Sequence, residues 1–219
     1  NVKKISTDIN KKIDVVVNIY TKDQQFENDI KSSVYINKAF IYNKKGMLPE
    51  LFLTNPYNNE IDDYDYVLFI VDDVSIEIGN LNDIIDIKNK HNLDIISPSV
   101  IQATHDFMQP SRTNTLKIAN AVEFYLYIVT PNILHKIFNY HTKENSLLWG
   151  YDFLLGHFNF KSGIYRNYIC KHHCRQYNDT KIINISGQSL MIDFIKKYGF
   201  NSLDEIKKQY PPIINTINL

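Results

Sequence analysis

The strongest constraint on the fold is Tyr66-Val67-Leu68-Phe69-Ile70-Val71, an uninterrupted apolar run followed at once by Asp72-Asp73. A run without alternation suits a strand buried on both faces, as in the middle of an α/β sheet, and it leaves two carboxylates at the strand's C-terminal end. Open α/β sheets bind their ligands at that end. Ile13 to Tyr20 is a second β-branched run and reads as a buried parallel first strand opening into Thr21-Lys22-Asp23. Helical spacing from Asp23, its cap, to about Asn37 and a short strand at Ala39–Tyr42 complete a β-α-β opening. Leu81–Lys90 reads as a helix, Asp94–Ile96 as a strand, and Ala121–Val129 as a strand carrying Glu123. Pro131 opens a helix, and Ile164–Lys171 is a strand ending at His172-His173. Asn43–Asp63 reads as a connection and Pro98–Asn120 as a long irregular functional loop. A tail helix at Ser189–Tyr198 stops at Gly199, and a second is capped near Asn201 or Ser202. The expectation is one α/β domain over residues 1–219, a mostly parallel mixed central sheet flanked by helices. Its core spans about 13–173 and its C-terminal helices about 189–210.

Charge narrows the partners. Lys plus Arg number 24 and Asp plus Glu 24, so no basic field holds a nucleic-acid backbone. Neither G-x-G-x-x-G nor G-x-x-x-x-G-K-[ST] occurs among only seven glycines, so any bound nucleotide needs another means of neutralising its phosphates. No stretch approaches the apolar length of a membrane span. Two cysteines, Cys170 and Cys174, are too few for a disulfide framework, and a reducing, cytoplasmic setting is the default. Ile and Asn make up about a quarter of the chain, which points to an AT-rich genome.

Asp72 and Asp73 resist joint ionisation, and a divalent cation relieves that while leaving positions open for phosphates. The pair also reads as a loop motif capping its own turn. His172 or His173, at a later strand end, adds an imidazole suited to Mn²⁺; as alternatives, the histidines are surface residues and the cysteines core fillers. Successive strand residues point to opposite faces, which argues against zinc at Cys170-Lys171-His172-His173-Cys174. Trp149-Gly150-Tyr151-Asp152 offers a flat ring for a sugar and a carboxylate base at the start of a helix, or alternatively a core Trp and a helix cap. Glu123, inside an apolar strand, needs a partner there. His105, Asp106, Arg112 and Lys117 read as solvated loop residues with possible reach to a substrate.

Taken in order, Tyr64 through Asp73, Val122-Glu123, Trp149-Gly150-Tyr151-Asp152 and Gly163 through His172 resemble metal-dependent glycosyltransferases of the GT-A fold. The likeness spans about Asp14 to His173, and compact enzymes of this type also occur in large DNA viruses. The resemblance implies a nucleotide-diphosphate sugar donor of UDP type, a glycan or other hydroxyl acceptor, and Mn²⁺ or Mg²⁺. It assigns the metal to Asp73 and His172, and the donor to Ile19, Tyr20, Thr21, Asp72 and Trp149. Glu123 and Tyr151 go to the acceptor, and Asp152 becomes the base of an inverting transfer. The family's D-x-D or D-D-D aligns with Val71-Asp72-Asp73, so its first Asp is Val71 here. A metal-dependent phosphohydrolase and a non-catalytic sugar- or protein-binding domain of the same fold are the competing readings.

Overall fold

The computed structural model describes residues 1–18, 24–42, 54–111, 113–140, 145, 149–173 and 180–219. Its strands are β1 (Ile13–Asn18), β2 (Ile36–Tyr42), β3 (Val67–Ile70), β4 (Val74–Ile78), β5 (Ile95–Ile101), β6 (Thr115–Ala119), β7 (Leu126–Val129), β8 (Ser162–His172) and β9 (Ile213–Asn218). Its helices are α1 (Val2–Ile9), α2 (Gln24–Ser32), α3 (Leu81–Lys90), α4 (Pro131–Asn139), α5 (Thr180–Lys196) and α6 (Leu203–Gln209).

Among the described residues β1 and β2 form a two-stranded parallel sheet, while the seven-stranded sheet runs β3-β7-β5-β8-β6-β9 with β4 also on β8. The central sheet is mixed and helix-flanked, as expected, but its balance is antiparallel. Within it only β5 and β8 pair in parallel, because a long stretch carrying β6, β7 and α4 separates them and provides the crossover that parallel neighbours need. β6 and β9 line the other side of β8 through antiparallel ladders. Neither β1 nor β3 is the fully buried strand expected: Val16 of β1 is 39% exposed, since its sheet has only two strands to cover it, and β3 stands at the edge of the larger sheet, paired with β7, with all four residues only partly buried.

The expected long loop from Pro98 to Asn120 is a further correction. Pro98, Ser99 and Val100 are buried in β5, and β6 occupies Thr115–Ala119, so the connection shrinks to residues 102–114 with a single 3₁₀ turn at Asp106–Met108. Burial of apolar side chains on both strands outweighs the local polarity that suggested a loop. Two clusters make up the core. The larger joins α3, α4 and the central sheet around Ile84, Ile96, Leu126 and Ile164, all at most about 1% exposed. The smaller packs Tyr151, Phe153 and Leu154 against Phe194, Ile195, Phe200 and Ile206 of the C-terminal region. Ser202 caps α6 by accepting the Glu205 N–H, as its position in the sequence suggests.

Candidate active site

Asp72 and Asp73 occupy the tight turn between β3 and β4, closed by the Val74 N–H on the Val71 carbonyl at 3.4 Å. β4 then pairs antiparallel with the end of β8, setting Val74 opposite His172. That register brings Asp73 Oδ2 to 3.3 Å from His172 Nε2, with both side chains partly exposed. His173 turns the other way and lies 2.7 Å from Ser75 Oγ through its Nε2, which follows from strand alternation. Asp72 is exposed at the same turn.

From His172 a continuous set of contacts leads to Glu123. Tyr125 lies with its ring 4.5 Å from the His172 ring and its hydroxyl 2.8 Å from Thr104 Oγ1. Thr104 in turn hydrogen-bonds Glu123, which also accepts the His105 backbone N–H at 3.5 Å. Glu123 is 6% exposed and does not lie in a strand; β7 begins only at Leu126, and Glu123 sits in the irregular segment leading to it. Burial, reinforced by the negative charge of Asp152, pushes its carboxyl up to about 8. Asp152 is raised as well, to about 7, chiefly by burial; the backbone amides of Phe153, Asp152 and Gly150 and the Lys207 ammonium act against that rise. Lys207 reaches over from α6, with its Nζ 4.9 Å from the centre of the Phe153 ring. The His105 ring meets the same Phe153 ring edge-on at 4.9 Å, and burial lowers its pKa.

Asp152 lies in a series of tight turns over residues 149–159 and not at the start of a regular helix. Gly150 makes this path possible: its φ is +93°, and a Cβ there would stand 3.0 Å from Met191 Cγ. Trp149 is partly buried, its carbonyl accepting from Asn145 Nδ2 at 2.8 Å. Tyr151 is a core residue and not an acceptor contact. It is 2% exposed, stacks on Phe194 at 4.1 Å and donates its hydroxyl proton to the Tyr140 carbonyl. Ile19, Tyr20 and Thr21, assigned to the donor, lie outside the described residues, as do Arg112 and Cys174. Cys170 is buried and free. Lys117 is on β6, not in a loop, and donates to the Phe107 carbonyl at 2.9 Å.

Tyr125, Thr104, His105 and Lys207 were not legible as one site. The spacing of Tyr125 two residues beyond Glu123 is the only local signal, and Lys207 is brought in by packing of the C-terminal helix. Among the described residues no group of three or more His, Cys, Asp and Glu side chains forms a closed metal cage. The Asp73–His172 pair nevertheless fits Mg²⁺ or Mn²⁺ held by two protein groups, an arrangement that leaves coordination positions for phosphate oxygens and water.

The solved structures of known proteins supply the comparison. GalNAc-T7 in complex with UDP, GalNAc and Mn²⁺ superposes with a TM-score of 0.56 at 8% identity, over 91% of this chain and 52% of that one. The Staphylococcus aureus TarS fragment 1–349 with UDP-GlcNAc gives 0.55 at 12% identity, over 91% and 69%. The fold is GT-A-like. At these identities the likeness extends to the fold alone, and the chain spans about half the length of the GalNAc-T7 chain. No protein-family profile matches the chain, and no curated protein matches its sequence. No helix among the described residues is long and apolar enough to cross a membrane.

Proposed function

We propose that the chain is a nucleotide-sugar-dependent glycosyltransferase, moving a sugar from a UDP-type donor to a hydroxyl acceptor with inversion. The observation that carries this reading is the path of contacts from Asp73 and His172, through Tyr125 and Thr104, to the buried Glu123, whose carboxyl lies within the field of the partly buried Asp152. One end suits a cation and the other a proton transfer, the two requirements of displacing a diphosphate by a hydroxyl.

Asp73 and His172 would hold Mn²⁺ or Mg²⁺, which supplies positive charge to the departing diphosphate. Asp152, ionised near neutral pH, takes the acceptor's hydroxyl proton as that oxygen attacks the anomeric carbon; a base that titrates near the working pH is the efficient choice. Glu123 carries a proton at the same pH and donates a hydrogen bond to substrate oxygen, which also spares the pair a second buried charge. Asp72, exposed beside Asp73, and the partly buried Trp149 remain the donor contacts, and the Lys207 charge favours ionised Asp152.

Thermal unfolding against a panel of nucleoside diphosphates, with and without Mn²⁺, tests the reading, because a ligand bound by the native state raises stability by mass action. The expected result is a shift for uridine diphosphate that requires metal. No shift for any nucleotide at saturating metal overturns it.

A further inference from the structure

Away from the carboxylate pair, β8 carries a charge that none of the described residues around it balances. Pairing of β5 with β8 is regular up to Pro98 opposite Tyr165 and resumes with Ser99 opposite Ile169, so Arg166 to Tyr168 bulge out of that ladder. Bulges of this kind re-aim side chains and are over-represented beside functional sites. Arg166 is the first residue of the bulge and lies one step beyond the β6 ladder, whose last pair on this side is Leu116 with Tyr165.

Arg166 is 6% exposed, and its Nε has no hydrogen-bond partner among the described residues. Its pKa is lowered by burial, with no acid acting to offset this. A guanidinium is always charged and offers five donors in a planar fork, so a buried Nε–H without an acceptor is costly unless something anionic completes it. A second cation makes the case sharper. Lys117 of β6 stands opposite Ile164, two residues before Arg166, so the two cations lie on one face of the sheet, where the Arg166 charge depresses the Lys117 pKa; the Lys117 ammonium uses one donor on the Phe107 carbonyl. Two like charges thus share one face of neighbouring strands, with an unfavourable interaction between them.

We propose that Arg166 and Lys117 form a binding site for a phosphate-class dianion. Two positive charges match its charge, and the guanidinium fork matches two of its oxygens. The site stands beside the carboxylate pair. Phe107, whose carbonyl takes the Lys117 proton, stacks its ring on His105 at 5.5 Å, and His105 holds Glu123. A phosphate carried by a substrate would thus be anchored with Phe107 and His105 between it and Glu123.

The test uses the full chain in EDTA, without nucleotide or sugar, so its outcome is independent of whether sugar transfer occurs. Inorganic phosphate is titrated against chloride at matched ionic strength, following thermal unfolding and the ¹⁵N resonance of the Arg166 Nε. A rise of several degrees with phosphate only, together with a saturable shift of that resonance, is expected. Arg166→Met and Lys117→Met should each lose the phosphate response, and Arg166→Met should unfold at a higher temperature than the unmodified protein without phosphate, since an apolar group replaces an unbalanced buried charge. Equal responses to phosphate and chloride overturn the proposal, and so does an Arg166 resonance that phosphate leaves unmoved. Glycerol 3-phosphate distinguishes the two sources of the anion: at least tenfold tighter binding than inorganic phosphate indicates a phosphate borne on an organic substrate, and equal binding a free ion, both with the site intact.

Discussion

His172 Nε2 stands 3.3 Å from Asp73 Oδ2 although 99 residues separate them in sequence, and the β4–β8 register alone creates the pair. The Asp73 carbonyl also accepts the His173 N–H at 2.7 Å, so backbone and side chains tie the same two chain segments together. Asp73→Asn and His172→Ala should each weaken metal-dependent nucleotide binding by at least about 10–100-fold, the range seen when even the groups that merely orient a metal's ligands are altered. Calorimetry with Mn²⁺ and uridine diphosphate measures this. Unchanged affinity in both variants would remove the metal from this corner of the sheet.

Asp152→Asn separates proton transfer from binding. The variant should lose about 10²–10⁴-fold in transfer rate while its metal-dependent nucleotide affinity stays close to that of the unmodified chain. Single-turnover kinetics beside equilibrium binding make the comparison. Loss of both together would mean that Asp152 positions the donor.

The proton on Asp152 also predicts a pH profile. Transfer should rise with pH on a limb centred near 7, where the raised carboxyl ionises. The Lys207 ammonium holds the Asp152 pKa down, so Lys207→Met should move the limb to higher pH. A limb that stays in place in Lys207→Met would show that its ammonium acts only on Phe153.

Glu123 links stability to pH in a definite direction. Its folded pKa, about 8, lies above the ordinary value of 4.5, so the native state holds the proton more tightly than the unfolded chain does. The resulting stabilisation is fully present below about pH 4.5 and is lost as pH rises through about 8, by at most about 1.4 kcal/mol per pH unit. Glu123→Gln should flatten that part of the stability curve, as read by urea unfolding at a series of pH values. A curve as steep as before would assign the dependence elsewhere.

Gly150→Ala should destabilise by about 1–3 kcal/mol, because a positive φ and a Cβ 3.0 Å from Met191 act together against the smaller core. Urea unfolding of the variant gives the value. A neutral effect would mean that the Met191 side chain moves aside freely.

Much of this was legible in the sequence, for a physical reason. The β3 strand, the Leu81–Lys90 helix and the Pro131 start of α4 follow from apolar periodicity, caps and proline, and these act within a few residues. The chemistry of Asp73, His172 and Asp152 could be suspected from residue type at the ends of apolar runs. Only tertiary structure decided which groups meet. The β4–β8 register joined Asp73 to His172, and the fold brought Glu123 within the field of Asp152. Packing of the C-terminal region took Tyr151 into the core and delivered Lys207 to the site. The antiparallel balance of the central sheet and the unbalanced Arg166 were hidden for the same reason: pairing and burial depend on contacts between distant segments, and local residue preferences do not encode them.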